Sequence, residues 1–543
     1  MEPILAGEQD DFPASLETLW RRRDLVLVAT GSLVCLRTVY QSAKAMGALS
    51  RFRYAVLRAA DYVLGTAEDE IRRAVLQAAA LPGARVVVIY LSCLDILTRL
   101  DFDDLEGRLS AQTGCVVKCF FRGPLAKTDA IPHDSATAIL ASLPPEAGEV
   151  RAGAVLPPPM GDIAGVSDLL RGEGAANVLV TPSGCRGALT RLDMVPGQSG
   201  VFAALPHPKD YVFGMEDTMA AEVEMLTREG RYREINLLSS PVPAFMALRE
   251  EEVLSAASDD VLRRRSFSTD GFQDAISGAA AATLFLVEEA AAMWREETAT
   301  VLVVGYTALL CGDFAPLREA ADDLASLGYG VCWAGRDALP KRPALVWVVS
   351  AVGTSAAQWL HRRYGMPVVT KLPLGEAGRA AWQTAVRRAF PRGATEALPE
   401  DRPAVTDRRQ HILLIGDPVA MRAIGSVLRR YGFGKLRYAA YAWTEETAQL
   451  FRQVNGDEAL LCFRSKEELQ AAWDMADVVV ADPCFLSVMG DKTLLPLPNG
   501  FLSGREAAGA GSGVLGETFA AVLQKFLLKG AGVKCFKNNE LSF

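Results

Sequence analysis

Short apolar runs alternate with amphipathic stretches along most of the chain. Leu25–Val28, Ala84–Leu91 and Cys115–Phe121 read as buried strands, rich in Val, Ile and Leu. Between them, the stretch from Leu36 and the stretch Glu68–Ala80 carry apolar residues at helical spacing, Asp101–Leu109 is an acidic helical segment, and a helix His133–Leu143 follows. This β-α-β-α-β order predicts a parallel sheet. Pro-rich residues 144–176 read as a linker with one helix near Ile163–Arg171. A second α/β segment ends in an Ala-rich helix, Ala279–Arg295. A third has strands Val301–Gly305, Gly330–Trp333, Leu345–Ser350 and Pro367–Leu372, with helices reaching Leu327, over Thr354–Tyr364 and over Ala377–Phe390. The last begins with strand Ile412–Asp417 and helix Val419–Tyr431. It continues through strands Val478–Ala481 and Leu494–Leu497 to a helix Val514–Leu528. The expected fold class is α/β, with several Rossmann-like parallel-sheet domains. Its expected parts are 1–150, a linker 151–176, 177–297, 298–390, a linker 391–408, and 409–543.

The first two of these domains repeat one another. Copy one runs from Val26 to Cys35, through Asp61-Tyr-Val-Leu-Gly65, to Ile89-Tyr-Leu-Ser-Cys93. Copy two runs from Val178 to Cys185, through Asp210-Tyr-Val-Phe-Gly214, to Asn236-Leu-Leu-Ser-Ser240. Cys35 to Gly65 is 30 residues and Cys185 to Gly214 is 29; Gly65 to Cys93 is 28 and Gly214 to Ser240 is 26. In each copy a short apolar strand delivers a residue to its C-terminal end, where α/β folds place their chemistry.

Composition narrows the function classes. At 543 residues the chain exceeds one core. With 57 Lys and Arg against 65 Asp and Glu, the net charge of −8 argues against a nucleic-acid partner. Ten Cys in this length do not suggest a disulfide scaffold. Met1–Leu19 is acidic and polar, unlike a signal peptide. The apolar stretch Leu25–Leu36 is too short to span a bilayer. The expectation is a cytoplasmic protein with reduced thiols and no membrane association.

Two copies of one domain can pack about a pseudo-twofold axis, and their strand ends then converge. Cys35, Cys93 and Cys185 would make three corners of a metal site, with Ser240 near the fourth. Four thiolates is the usual ligand set of a [4Fe–4S] cluster, and a hydroxyl is a harder substitute for one of them. The alternative is that these Cys merely pack, since free Cys is among the most buried residue types. Cys115 and Cys119 share one face of a strand and read as core. The four His, His133, His207, His361 and His411, lack the i+3 or i+4 partners of a zinc site. There is no G-x-x-x-x-G-K-S/T loop and no G-x-G-x-x-G after a strand. Redox chemistry would therefore draw its electrons from another protein. Asp313, Glu216 and Asp482 stand at loop ends, where carboxylates are ordinarily caps.

At this point the pattern resembles component 1 of nitrogenase and the nitrogenase-like reductases. Ser183-Gly184-Cys185, Val212-Phe-Gly-Met-Glu216 and Ser239-Ser240-Pro241 are similar to that family's Gly-Cys, Val-Phe-Gly-Gly-Glu and Ser-x-Cys-Pro segments. Val34-Cys35, Val63-Leu-Gly65 and Ser92-Cys93 resemble the same segments in copy one. Gly271-Phe272 with Gly278, Gly312-Asp313, Tyr364-Gly-Met-Pro367, Leu372-Pro-Leu-Gly375, Ile415-Gly-Asp-Pro418 and Ala476-Asp-Val-Val-Val480 continue the likeness. The resemblance implies cluster ligation by Cys35, Cys93 and Cys185. It also implies electrons from a separate ATP-dependent iron protein, pairing with a related subunit or a homodimer, and an extra first domain fused ahead of a complete component.

The departures are as informative. The family's earliest Cys, expected upstream of Cys35, is missing, and Ser240 stands where copy two should have its second Cys. Gln358 occupies the helix that carries the cofactor-anchoring Cys in nitrogenase proper. Beyond His411 the last domain has no His to anchor an iron–molybdenum cofactor. No such cofactor and no dinitrogen reduction are expected. Three readings remain: a nitrogenase-like iron–sulfur oxidoreductase component of unknown substrate, a cluster or cofactor maturation scaffold, and a non-catalytic partner subunit.

Overall fold

A computed structural model describes residues 2–3, 13–98, 102–121, 135–172, 174–182, 201–207, 209–255, 262–390, 408–442, 448, 452, 459–504 and 512–529. The chain forms two compact units: Met1–Ser167 with Gly174–Ala275, and Asp168–Glu173 with Ile276–Phe543.

The first unit holds two sheets. In one, Phe52–Val56, Leu25–Gly31, Val86–Leu91 and Val116–Phe121 lie side by side, all parallel. In the other the order is Val201–Ala204, Ala175–Val180, Glu234–Ser239 and Arg263–Phe267, also parallel, with Glu2–Pro3 added antiparallel at the edge. Both sheets place their first strand between their second and third. The same strand order recurs in the third sheet, so it is common to these domains and not particular to the first two. Central strands such as Val86–Leu91 are buried at every position, as expected when helices cover both faces.

The second unit repeats the arrangement. Gly330–Trp333, Glu297–Val304, Arg342–Val348 and Val368–Val369 form one parallel sheet. Leu460–Phe463, Phe433–Tyr441, Arg408–Ile415, Val478–Ala481 and Thr493–Pro496 form the other. All four sheets are of the α/β, Rossmann-like class. A parallel sheet of this kind binds ligands beyond the strand ends where the strand order reverses. In the first three sheets that point lies between strands one and three. In the last it lies between strands one and four.

Several details differ from the sequence reading. Cys35 is not at a strand end; it stands in the first turn of a helix, Leu33–Ala45, because the strand Leu25–Gly31 runs three residues further than its apolar core. Cys93 likewise opens a short helix, Cys93–Leu97. Helix Asp162–Leu169, inside the expected linker, is almost wholly buried. The described part of the helix expected from His133 is Ala136–Ser142; His133 itself and nearly all of 391–408 lie outside the described residues. Among the described residues one helix, Ala275–Ala292, is long and apolar enough to cross a membrane, but half of it is buried within the protein.

Candidate functional site

The strand-order reversal of the first sheet lies between Leu25–Gly31 and Val86–Leu91, and both chains leave it toward a Cys. Gly31 adopts a φ of +119°, and a Cβ there would stand 3.0 Å from both Ser92 Cβ and Oγ and 3.7 Å from Cys35 Cβ. Only glycine lets the two crossing loops meet so closely. The Ser32 hydroxyl is 3.7 Å from Cys35 Sγ. Burial pushes the Cys35 thiol up to about 12, helped by the neighbouring Cys93 and Asp95 and opposed by the Ser32 hydroxyl. Such a thiol is protonated and a poor nucleophile; only a cation would make it a thiolate.

Asp95, fully buried, organises the other side. Its Oδ2 accepts from Ser92 N at 2.6 Å, Ser92 Oγ at 2.8 Å and Thr30 Oγ1 at 3.3 Å, and its Oδ1 accepts from Tyr62 OH at 3.0 Å. Ser92 and Asp95 form a capping box that fixes the start of the Cys93 helix. Burial still raises the Asp95 carboxyl above its ordinary range, despite these bonds. Burial and Asp95 raise the Tyr62 phenol in turn.

The second copy meets the first at this point. Leu33 N donates to Gly271 O at 3.2 Å. A Cβ on Gly271, whose φ is +75°, would lie 3.4 Å from Val34 Cγ2 of copy one and 2.5 Å from Pro241 Cγ of its own copy. Helix Cys93–Leu97 packs against helix Pro241–Phe245. Tyr62 from copy one stands edge-on to Phe245 and Phe272 from copy two, with centroids 6.3 and 6.2 Å apart. Val242 of copy two joins the first copy's core, and Tyr211, the counterpart of Tyr62, packs against that cluster and against the core of its own copy. Ser240, at the start of the Pro241 helix, is fully buried, and among the described residues its hydroxyl has no hydrogen-bond partner.

The helices outside this contact are shaped alike. Asp61 accepts from Arg58 N at 2.8 Å and Thr66 Oγ1 at 3.0 Å; Asp210 accepts from His207 N at 2.7 Å and Thr218 Oγ1 at 3.1 Å. Each carboxylate anchors a short helix whose next-but-one residues face solvent. Val63 and Leu64 are 78 % and 73 % exposed, and Val212 and Phe213 are 76 % and 87 % exposed. Large apolar side chains this exposed, and paired between copies, mark an interaction surface.

Of the four residues expected at the site, Cys35, Cys93 and Ser240 belong to the two strand-end regions that meet here; Cys185 lies outside the described residues. Among the described residues no three His, Cys, Asp or Glu are grouped to hold a metal ion. Two soft thiols are the donor type that suits an iron–sulfur group. Asp95, Thr30 and Tyr62 went unread in the sequence, although Ser92-x-x-Asp95 is itself a capping-box signature. Asp313 and Asp482 act as caps, accepting from Ala315 N and Cys484 N, and Glu216 pairs with Arg249.

In the second unit, backbone segments approach closely at the strand ends. A Cβ on Gly513 would stand 2.0 Å from Cys311 O, and one on Gly500 2.5 Å from Leu309 O. Asp417, buried, accepts from Ala351 N at 2.7 Å, Val419 N at 2.9 Å and Ala420 N at 3.2 Å. Burial pushes its carboxyl up to about 6 against the pull of these bonds.

Fold and site together define a class: an α/β protein of parallel sheets, the first two of which meet at the helices that begin at Cys93 and Pro241. No family model matches the chain. No curated protein matches it either. Among solved structures it is similar to one described as nitrogenase Cp1 at pH 6.5, with a TM-score of 0.49 and 11 % identity over 73 % of this chain and 99 % of that one. Another, nitrogenase Cp1 at pH 5, gives 0.44 and 11 % over 70 % and 91 %. Similarity of this degree does not place the chain in a family.

Proposed function

We propose that this protein is a nitrogenase-like oxidoreductase component that receives electrons from an ATP-dependent iron protein and passes them to a substrate still to be identified, without reducing dinitrogen. The observation that carries this reading is the placing of the Cys35 and Cys93 region, with the Ser240 hydroxyl that is unpartnered among the described residues, at the junction of two copies that each expose an apolar pair. Cys35, Cys93 and Cys185 would hold an iron–sulfur cluster of the [4Fe–4S] type, with Ser240 as a harder fourth donor. When bound, the cluster supplies one-electron transfer. The protein's own part is to bury the thiols, exclude water and offer Val63, Leu64, Val212 and Phe213 to the reductase.

A second reading, a non-catalytic partner subunit, is favoured by the close backbone packing at Gly513 and Gly500 in the second unit, near strand ends where a substrate cavity would be expected. A maturation scaffold would need an open one. Iron and acid-labile sulfide per chain, on protein purified without oxygen, test the first reading, with EPR after dithionite. About four of each, lost in Cys93→Ala or Cys185→Ala, is the expected result. A chain that stays metal-free after anaerobic reconstitution with iron and sulfide overturns it and moves the partner-subunit reading to the front.

A further inference from the structure

In the second unit, the C-terminal ends of strands Glu297–Val304 and Gly330–Trp333 gather side chains that the proposed function does not use. Tyr306, Phe314 and Trp333 pack on one another, with centroids 4.8 Å apart for Tyr306 and Phe314 and 4.7 Å for Phe314 and Trp333. The Arg336 guanidinium lies over two of these rings, 4.4 Å from the Phe314 centroid and 4.7 Å from that of Tyr306. Arg318 lies over Phe314 as well, at 5.2 Å. Asp168, Leu169 and Arg171 belong to the same unit and run alongside, since a Cβ on Gly335 would stand 3.3 Å from Leu169 O. Arg171 Nη2 is 3.5 Å from Asp168 Oδ1, an ion pair without a hydrogen bond. Asp168 is itself buried and accepts from Leu309 N at 2.8 Å.

This group is rich in donors and short of acceptors. Among the described residues neither the Arg171 nor the Arg336 guanidinium donates a hydrogen bond, and Arg171 Nε and Nη2 are buried without a hydrogen-bond partner. Buried polar groups are ordinarily paired, so such donors call for an acceptor from outside the chain. Asp168 offsets one of the two charges; Asp337, which is exposed, accepts from Trp333 N at 2.8 Å. Burial lowers the Arg336 guanidinium below its ordinary range, opposed by Tyr306 and Asp168 and reinforced by Arg171, as expected of two cations held close together. We propose that Arg171 and Arg336 form a binding site for a small oxyanion, a phosphate or carboxylate group, at the strand ends of the third sheet. Guanidinium N–H groups match the oxygens of such a group in pairs, and stacking on Tyr306 and Phe314 orients Arg336 without using those N–H groups. The Arg171 side chain is 22 % exposed, so the pair is open to a ligand from solvent. The carboxyl ends of parallel strands are also where α/β sheets hold their ligands. The site uses none of the residues proposed to hold a cluster, and its test does not depend on one.

The test is isothermal titration of the full chain with sodium phosphate and, separately, sodium malonate, with ionic strength held constant by sodium chloride. Wild type is expected to bind at least one of them saturably. Arg171→Gln and Arg336→Gln should each weaken that binding at least about tenfold, the loss of a charge-assisted pair. Arg336→Lys keeps the charge but not the paired N–H groups and should weaken it about threefold or more, which keeps the test open if a Gln variant fails to fold. Arg362→Gln removes an equal charge from an exposed helix position and should stay within about twofold of wild type. Binding of phosphate alone assigns the site to a phosphate-bearing ligand, and binding of malonate alone to a carboxylate-bearing one. No saturable binding of either by wild type overturns the proposal. So does equal affinity in wild type and the Arg171 and Arg336 variants, which would leave these arginines as packing residues. An equal loss in Arg362→Gln overturns it too, since the binding would then be to diffuse charge.

Discussion

Ser240 is the most exacting single residue in the site. Its hydroxyl is buried and, among the described residues, unpartnered, a state that costs a protein about 1–3 kcal/mol. It also makes no capping bond to the Pro241 helix, so Ala loses nothing there. Ser240→Ala should therefore stabilise the metal-free first unit by about 1 kcal/mol in urea denaturation. The same change should speed cluster loss to a chelator if Ser240 is a ligand. Stabilisation without faster loss would leave Ser240 a packing defect. Asp417 gives a second residue-scale test. Its carboxyl lies at about 6 in the folded protein against 3.8 as its ordinary value. Being raised, it contributes stability that is fully present below about 3.8 and is lost as pH rises through about 6. The difference between wild-type and Asp417→Asn stabilities should change across pH 4–6 by up to about 1.4 kcal/mol per pH unit, and be flat above pH 7. A flat difference throughout would mean that the three N–H bonds just offset burial. The meeting of the Cys93 and Ser240 regions was legible in the sequence because the repeat carries it. Tyr62 and Asp95 were not, because their pairing spans 33 residues and no local period encodes it.

Among elements, the wholly apolar strands announced themselves and the charged ones did not. Val86–Leu91 is apolar throughout. Arg263–Phe267 begins with three arginines, and Phe433–Tyr441 carries Lys435 and Arg437 in its exposed half, so neither shows a buried run. Edge and half-exposed strands carry such charges to discourage further pairing. The short helices Ala59–Leu64 and Asp210–Phe213 were legible as a repeated motif but not as a surface, since Val, Leu and Phe normally read as core. Their exposure makes a clean prediction. Leu64→Glu and Phe213→Glu should each change stability by no more than about 0.5 kcal/mol, because they remove almost no packing. Reduction of the protein by an ATP-dependent iron protein should fall at least about tenfold in the double variant, the loss of a central apolar anchor. Reduction by dithionite should be unchanged. Loss of both rates would point to damage at the thiols instead of the docking surface.

At the scale of the whole chain, four α/β segments were legible from alternating periods, but their grouping into two compact units was not. Grouping depends on which helix faces meet, and sequence patterns mark a face as apolar without naming its partner. In the first unit that meeting is pinned where Leu33 and Val34 lie against Gly271; in the second it is backbone against backbone at Gly513 and Gly500. Gly513 has a φ of +87° and no room for a Cβ, so Gly513→Ala meets both backbone strain and a clash with Cys311 O. It should destabilise by about 3 kcal/mol or more. The site of that loss is the informative part. Hydrogen exchange should rise in the strand ends around Cys311, Leu309 and Ala351, while the segments around Cys35, Cys93 and Ser240 keep their protection. A variant that also opens the thiol region would mean the two units unfold as one, and the second unit's close backbone packing would then be a support for the redox site. Independent loss would instead make the second unit a separately folded half whose packing has no part in holding the thiols.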